Sequence, residues 1–158
     1  MDVSVFGHEA TDFEAALDVR ERVFVDEQDV PYDREVDGRD PDATHFLVRV
    51  SPANGDAATG PNDGDPVATA RVRPYDGSDE RALKIERVAV VADRREEGYG
   101  DRVMDAVESY ATEEGYDRLV LDAQVPVVGF YERRGYTVQD DEPFDDAGIP
   151  HRRMAKPA

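Results

Sequence analysis

The chain has 158 residues, no cysteine, and 37 acidic against 19 basic side chains, a formal charge of −18. Its length suits one domain with its own core, while its charge excludes a general nucleic-acid binder and any attraction to an anionic membrane surface. The lack of cysteine excludes disulfides, thiolate metal sites and a cysteine nucleophile. In chain order, Val3 to Phe6 alternate weakly and predict a short first strand. Thr11 stands three residues before Glu14, the spacing of a capping box. Phe13, Ala16, Leu17, Val23 and Phe24 fall largely on one helical face, so residues 12–26 read as an amphipathic helix. Residues 27–43 read as a polar loop with no core pattern, and a loop of that length in a small domain is often functional. Thr44 to Val50 is a strand. Ser51 to Asp65, rich in Gly, Pro, Asn, Asp and Ala, reads as a long exposed hairpin loop. Val67 to Arg73 is the returning strand, stopped by Pro74, and a turn at Asp76-Gly77-Ser78 leads to a strand over Ala82 to Val91.

The stretch from Lys84 to Met104 organises the rest: a buried strand, a polar turn, and Arg95, Gly98 and Gly100 as R-x-x-G-x-G where a helix begins. A helix start offers unpartnered backbone N–H groups and the positive end of the helix dipole. Glycines there let an anionic group approach the backbone. The turn therefore predicts a site for the pyrophosphate of a nucleotide-like cofactor, with the preceding strand presenting its reactive arm. No Gly-Lys-Ser/Thr follows, so this is not a Walker A loop, and Val103 stands where a dinucleotide fingerprint would carry its third glycine. A purely structural turn is the alternative reading of the two glycines.

Beyond it, Val103, Met104, Val107, Tyr110 and Ala111 recur at helical spacing up to Gly115, read as the residue that ends the helix. Arg118 to Ala123 is another strand. Pro126 suits a first helical residue, and Val127, Phe130 and Tyr131 pattern a short helix ending at Gly135. Tyr136 to Gln139 and His151 to Lys156 form a final strand pair around an acidic loop, Asp140 to Asp146. No repeat and no dividing linker appears, so 1–158 reads as one domain: α+β, a single mixed sheet with helices packed on its faces.

R-x-x-G-x-G after a V-A-V strand resembles the acyl-CoA motif of the GNAT N-acetyltransferases, and G-F-Y-E-R-R-G-Y at 129–136 is similar to that family's F-Y-x-x-x-G-[FY] segment. V-F-V-D-E-Q-D-V-P at 23–31, D-A-T-H-F at 42–46, I-E-R-V-A-V at 85–90, D-A-Q at 122–124 and A-G-I-P-H at 147–151 resemble the ElaA/YjcF-like branch. The resemblance covers nearly the whole chain, and its main departure is the long 51–65 loop. It implies the GNAT fold, a mostly antiparallel twisted sheet of about six to seven strands flanked by about four helices. It also implies acetyl-CoA as acyl donor and an N-acyltransferase acting by direct attack of an amine through a tetrahedral intermediate. The backbone from Arg95 through Glu96, Glu97, Gly98 and Tyr99 to Gly100, with Asp101 at the helix start, would hold the CoA pyrophosphate, and Arg94 and Arg95 would add local positive charge. The backbone from Val88 through Ala89 to Val90 would carry the pantetheine arm like an added strand, with the Val90 amide as oxyanion donor. Tyr131 would protonate the departing thiolate; its bland alternative is a core aromatic.

Removing a proton from the acceptor amine needs a base. Glu86 in the central strand is either that base or the partner of a neighbouring arginine. His45 and His151, each at a strand edge, read as base, substrate ligand or structural hydrogen bonder. Gln28, Asp37 and Gln124 complete the acceptor-side candidates. No carboxylate shares a ligand spacing with the two histidines, so no metal is expected. The acceptor would be a small-molecule or peptide amine, with the protein a monomer or homodimer. An acidic surface of this strength suits molar salt, where charge repulsion is screened within about 3 Å. With no basic n-region or apolar h-region at the start and no apolar run near the roughly 20 residues of a membrane span, we expect a halophile's cytoplasm. The rival function is a non-catalytic acyl-CoA-binding or sensing module on the same fold; a further rival is an acidic interaction protein.

Overall fold

The central strands Thr44–Val50, Ala82–Val90 and Arg118–Gln124 form from apolar runs free of Gly and Pro, and glycines mark the ends of the helices Tyr99–Glu113 and Val128–Arg133. A computed structural model describes residues 2–50, 64–75 and 81–158; most of the predicted 51–65 loop and the 76–78 turn lie outside them. The strands are β1 (Asp2–Phe6), β2 (Thr44–Val50), β3 (Asp65–Tyr75), β4 (Ala82–Val90), β5 (Arg118–Gln124), β6 (Thr137–Val138), β7 (Phe144–Asp146) and β8 (Ile149–Pro157). The helices are α1 (Asp12–Arg20), α2 (Tyr32–Glu35), α3 (Tyr99–Glu113) and α4 (Val128–Arg133). The sheet order is β1-β2-β3-β4-β5-β8-β6, with β7 on β8. Its pairing is parallel between β4 and β5 and antiparallel at β1–β2, β2–β3, β5–β8, β6–β8 and β7–β8. This is the expected mixed architecture. By contacts the chain divides into two compact units, Met1–Val72 with Arg87–Val107, and Arg73–Glu86 with Glu108–Ala158.

In the first unit β1 pairs with β2 from Val3↔Val48 to Phe6↔His45, and β2 pairs with β3 from Thr44↔Val72 to Val50↔Asp65. Phe46, Leu47 and Val48 are all fully buried. Successive strand residues face opposite sides, so β2 is covered on both faces. α1 packs on β2 and buries Ala16 and Val19; each large apolar side chain removed from water contributes about 1.5–3 kcal/mol.

The helix expected over 12–26 changes pitch. After Arg20 it continues as a π-helical segment, Glu21–Glu27, with the Gln28 N–H bonded to the Val23 carbonyl at 3.1 Å. The capping box does not form: Thr11 already has right-handed helical backbone angles and makes no side-chain cap bond, whereas a cap needs an extended backbone.

The 27–43 segment is more ordered than its composition suggested. It holds α2 and a 3-10 turn at Asp40–Asp42, and Glu35 and Asp40 are buried. Two buried arginines from other elements supply the counter-charge. Arg20 of α1 bonds the Glu35 carboxylate at 2.7 and 3.1 Å and Asp40 at 2.8 Å. Arg71 of β3 bonds Asp40 at 3.0 Å and Asp37 at 2.8 and 3.0 Å.

In the second unit β4 pairs with β5 from Ala82↔Arg118 to Ile85↔Leu121, and β8 runs the length of β5, from Arg118↔Pro157 to Gln124↔His151. The expected final strand pair is present as β6 and β8, but the acidic 140–146 loop also contains β7, which pairs Phe144 with His151. Pro74 does not stop β3, which runs to Tyr75. Pro126 sits in a 3-10 turn, Val125–Val127, and α4 starts just after it. Gly115 and Gly135 end their helices as expected, at φ +78° and +97°. Each is followed by a tyrosine whose N–H reaches back five residues: Tyr116 to the Ala111 carbonyl at 3.0 Å and Tyr136 to the Tyr131 carbonyl at 3.1 Å. That Schellman closure satisfies carbonyls the helix end would otherwise leave open.

Candidate functional site

β4 is kinked at Arg87, whose φ of +54° lies in the left-handed region. Such a backbone costs on the order of 1 kcal/mol for a residue with a Cβ. The side chain holds the kink in place: its guanidinium donates to the Glu35 carbonyl at 3.3 and 3.1 Å, to the Arg34 carbonyl at 3.3 Å and to Asp37 at 3.3 Å. Beyond the kink the Val91 N–H donates to the Val67 carbonyl of β3 at 2.9 Å. Alternate residues of a strand send their backbone groups to the same side. The N–H and C=O of Val88 and Val90 therefore point away from β3, and those of Ala89 toward it.

The strand leads through a 3-10 turn, Ala92–Arg94, into a tight bend with Glu96 at φ +66° and Gly98 at φ +90°. The first intrahelical bond of α3 runs from the Arg102 N–H to the Gly98 carbonyl at 3.1 Å. A Cβ built on Gly98 would meet nothing within 4 Å, so no side chain or backbone crowds Gly98 on that side. These features fit a pyrophosphate: an amide-lined helix start, an open glycine and two arginines. Arg94 lies over the Tyr99 ring, donates to its hydroxyl at 3.2 Å, and pairs with Glu97 at 3.3 Å. Arg95 has a different engagement: Nε donates to the Val90 carbonyl at 3.0 Å, and its two Nη groups hold the Glu27 carboxylate at 2.6 and 2.7 Å.

In the second unit, Tyr131 of α4 is buried, its ring edge-on to Phe130 at 5.0 Å and to Tyr136 at 5.8 Å. Its hydroxyl has no hydrogen-bond partner among the described residues. Burial pushes its pKa well above the ordinary tyrosine value, against a small opposing effect of Arg134, so it keeps its proton at neutral and mildly alkaline pH. Tyr136 differs: its hydroxyl donates to Glu108 at 3.0 Å, and Arg134 holds the same carboxylate at 3.0 and 3.3 Å.

The model of the acetyltransferase (GNAT) family matches residues 13–136, a span that takes in both the glycine turn and the Tyr131 segment. The chain belongs to the GNAT acetyltransferase family. It is similar to the uncharacterized N-acetyltransferase YjcF of Bacillus subtilis, with 37% identity over 142 residues, 89% of each chain. Its fold is similar to that of Escherichia coli ElaA, with 30% identity, 98% of each chain covered and a TM-score of 0.78. It is likewise similar to an acyl-CoA N-acyltransferase from Pseudomonas aeruginosa, at 27% identity, 98% of each chain and a TM-score of 0.79.

The remaining GNAT candidates divide by their surroundings. Glu86 is held by Arg73, at 2.6 and 3.4 Å, the ion-pair alternative of the two readings. Asp37 belongs to the buried charge network: burial pushes its pKa up, but hydrogen bonds from Arg71 and the Arg39 backbone, with the charges of Arg71 and Arg87, outweigh that and hold it far below the usual range. His45 is 1% exposed, packed against Phe6 and Phe13, with Nε2 donating to the Asp40 carbonyl at 3.1 Å. Burial lowers its pKa, so it is a neutral core histidine with no face left for a substrate.

His151 and Gln124 are brought together as partners across β8 and β5, with Phe144 stacked on the His151 ring at 6.0 Å. The His151 Nδ1–H donates to the Ile149 carbonyl at 2.7 Å, so Nδ1 is engaged with the backbone and Nε2 is the ring nitrogen left for other contacts. Gln28 caps the π-helical segment through its backbone. Sequence reasoning missed Glu27 and Arg87. Both lie within the segments 23–31 and 85–90 that carry the resemblance, but neither was singled out, because each is engaged by a partner distant in sequence. Among the described residues, no group of three or more His, Asp or Glu could hold a metal, and no helix is long and apolar enough to cross a membrane.

Proposed function

We propose that the protein is an acetyl-CoA-dependent N-acyltransferase that transfers acetyl directly to a primary amine, and that residues 1–158 work as one domain. The observation that carries this reading is the continuity of one segment: outward-facing backbone at Val88 and Val90 runs straight into an open glycine turn and a helix N-terminus. Such a segment suits a ligand with a peptide-like arm at one end and a pyrophosphate at the other. The Gly98–Asp101 backbone would hold the phosphates with Arg94 and Arg95, and Val88 to Val90 would pair with the arm. The Val90 N–H would hold the oxygen of the attacked carbonyl as its charge develops. Tyr131 Oη would give its proton to the departing sulfur, a role supported by its retained proton and its unpartnered hydroxyl. Removal of the amine proton falls to Glu86, to His151 through Nε2, or to water. Gln28, Gln124 and His151 would face the acceptor, a small-molecule or peptide amine.

The charge of −18 supports action in a saline cytoplasm, so assays belong in molar KCl. Donor binding is tested by melting. Acetyl-CoA at about 100 times its Kd stabilises the native state by about 2.7 kcal/mol, which for a chain of this length raises Tm by roughly 5–11 °C. An unchanged Tm at saturating acetyl-CoA contradicts both the enzyme and the sensing-module readings.

A further inference from the structure

Arg95 is claimed twice. Its guanidinium is clamped by the Glu27 carboxylate at 2.6 and 2.7 Å while Nε rests on the Val90 carbonyl at 3.0 Å. Yet Arg95 opens the R-x-x-G-x-G turn, and Val90 is the strand residue whose backbone faces away from β3. A donor with a pyrophosphate and an amide-bearing arm calls on both. Resting on the proposed donor site, we propose that Glu27 is a competing ligand for Arg95, a clasp that the donor's phosphates must displace, so that Glu27 sets donor affinity.

The chemistry of the exchange is balanced closely enough to work. A guanidinium fork matches a phosphate as well as a carboxylate, and a pyrophosphate brings two charges where Glu27 brings one. The clasp lies at the surface, with side chains 40% and 38% exposed, so water and salt keep it weak enough to open. The Val90 carbonyl has a second lone pair, so the exchange is decided at Glu27 and not at the strand.

Glu27 is 38% exposed and Gln keeps its shape, so Glu27→Gln is expected to melt within a few degrees of the parent. By calorimetric titration of the full chain in the lowest KCl concentration at which wild type and variant both still melt cooperatively, E27Q binds CoA about 2–5-fold more tightly than wild type, the release of one exposed bidentate pair. The gain shrinks in 1 M KCl and is absent with pantetheine, which carries no phosphate. Arg95→Gln weakens CoA, and in the R95Q background E27Q adds nothing, since the partner is gone. If E27Q leaves CoA affinity unchanged or lowers it, while wild type binds CoA, the clasp is wrong and the donor site stands. The clasp is equally wrong if E27Q tightens binding to the same degree without Arg95, for then it acts only as a removed charge. If wild type binds no CoA, the donor site itself falls, and the clasp with it.

Discussion

Tyr131→Phe lowers kcat for acetyl transfer by about 10²–10⁴-fold, the usual contribution of one positioned acid, and leaves CoA affinity nearly unchanged. The substitution removes a hydroxyl that has no partner among the described residues and keeps the ring that packs against Phe130 and Tyr136, so the fold has little to lose. A phenol is an acid only while protonated. Because burial raises the pKa of Tyr131 above its usual 10, the wild-type rate shows no alkaline fall from this group below about pH 10. Steady-state thiol release at several pH values, beside CoA titration of the variant, checks both points. An unchanged kcat in the phenylalanine variant removes Tyr131 from the chemistry and favours its reading as a core aromatic.

Arg20→Met destabilises the protein by up to about 3–5 kcal/mol, because it removes the bidentate partner of the buried Glu35 carboxylate and leaves Glu35 only Arg87 at 3.3 Å and Asp40 only Arg71 at 3.0 Å. For a chain of this length that is a fall in Tm of roughly 6–20 °C, measured by thermal melting at neutral pH. The sign of the pH dependence follows from Asp40. Burial pushes its pKa up, but the hydrogen bond and charge of Arg20, with those of Arg71, bring it below the ordinary aspartate value. A depressed acid stabilises the fold above its unfolded pKa, and that contribution is lost as pH falls through the folded value. Wild-type stability from Asp40 therefore drains away only below about pH 4. In the variant the loss begins at a higher pH, as the lowering effect of Arg20 is gone. A variant as stable as wild type would show that water reaches these carboxylates.

Local chemistry was legible in the sequence and distant pairing was not. Gly115 and Gly135 announced their helix ends because a left-handed residue is needed there and glycine supplies it. The glycine turn stood out because glycines at a helix start carry their own local requirement, whereas Tyr131 stood out only through the resemblance of 129–136 to the family segment. The charges of 27–43 pointed the other way. Asp and Glu in a loop ordinarily mean solvent, and only Arg20 and Arg71, distant in sequence, turn Glu35 and Asp40 into core residues. The one hint was Arg71 itself, in phase with Val67 and Thr69 and flanked by Ala70 and Val72 on the buried middle of β3. The kink at Arg87 left no mark, because arginine has no preference for that backbone; its contacts with Glu35 and Asp37 hold it there. His45 read as base, substrate ligand or structural hydrogen bonder, and the packing of Phe6 and Phe13 with its bond to the Asp40 carbonyl matches the last of these. Glu86 carried two readings, and the register that sets Arg73 beside it was not available to a pattern.

The most direct test of acetyl transfer to an amine is release of free thiol from acetyl-CoA by the purified chain in molar KCl, run against a panel of amines, polyamines and peptides, with mass detection of the acetylated product. The expected result is amine-dependent release matched one-to-one by acetylated amine for at least one member, and its near-loss in Tyr131→Phe. Tight donor binding with no thiol released across the whole panel would contradict the transfer reaction and leave a binding module in place of an enzyme.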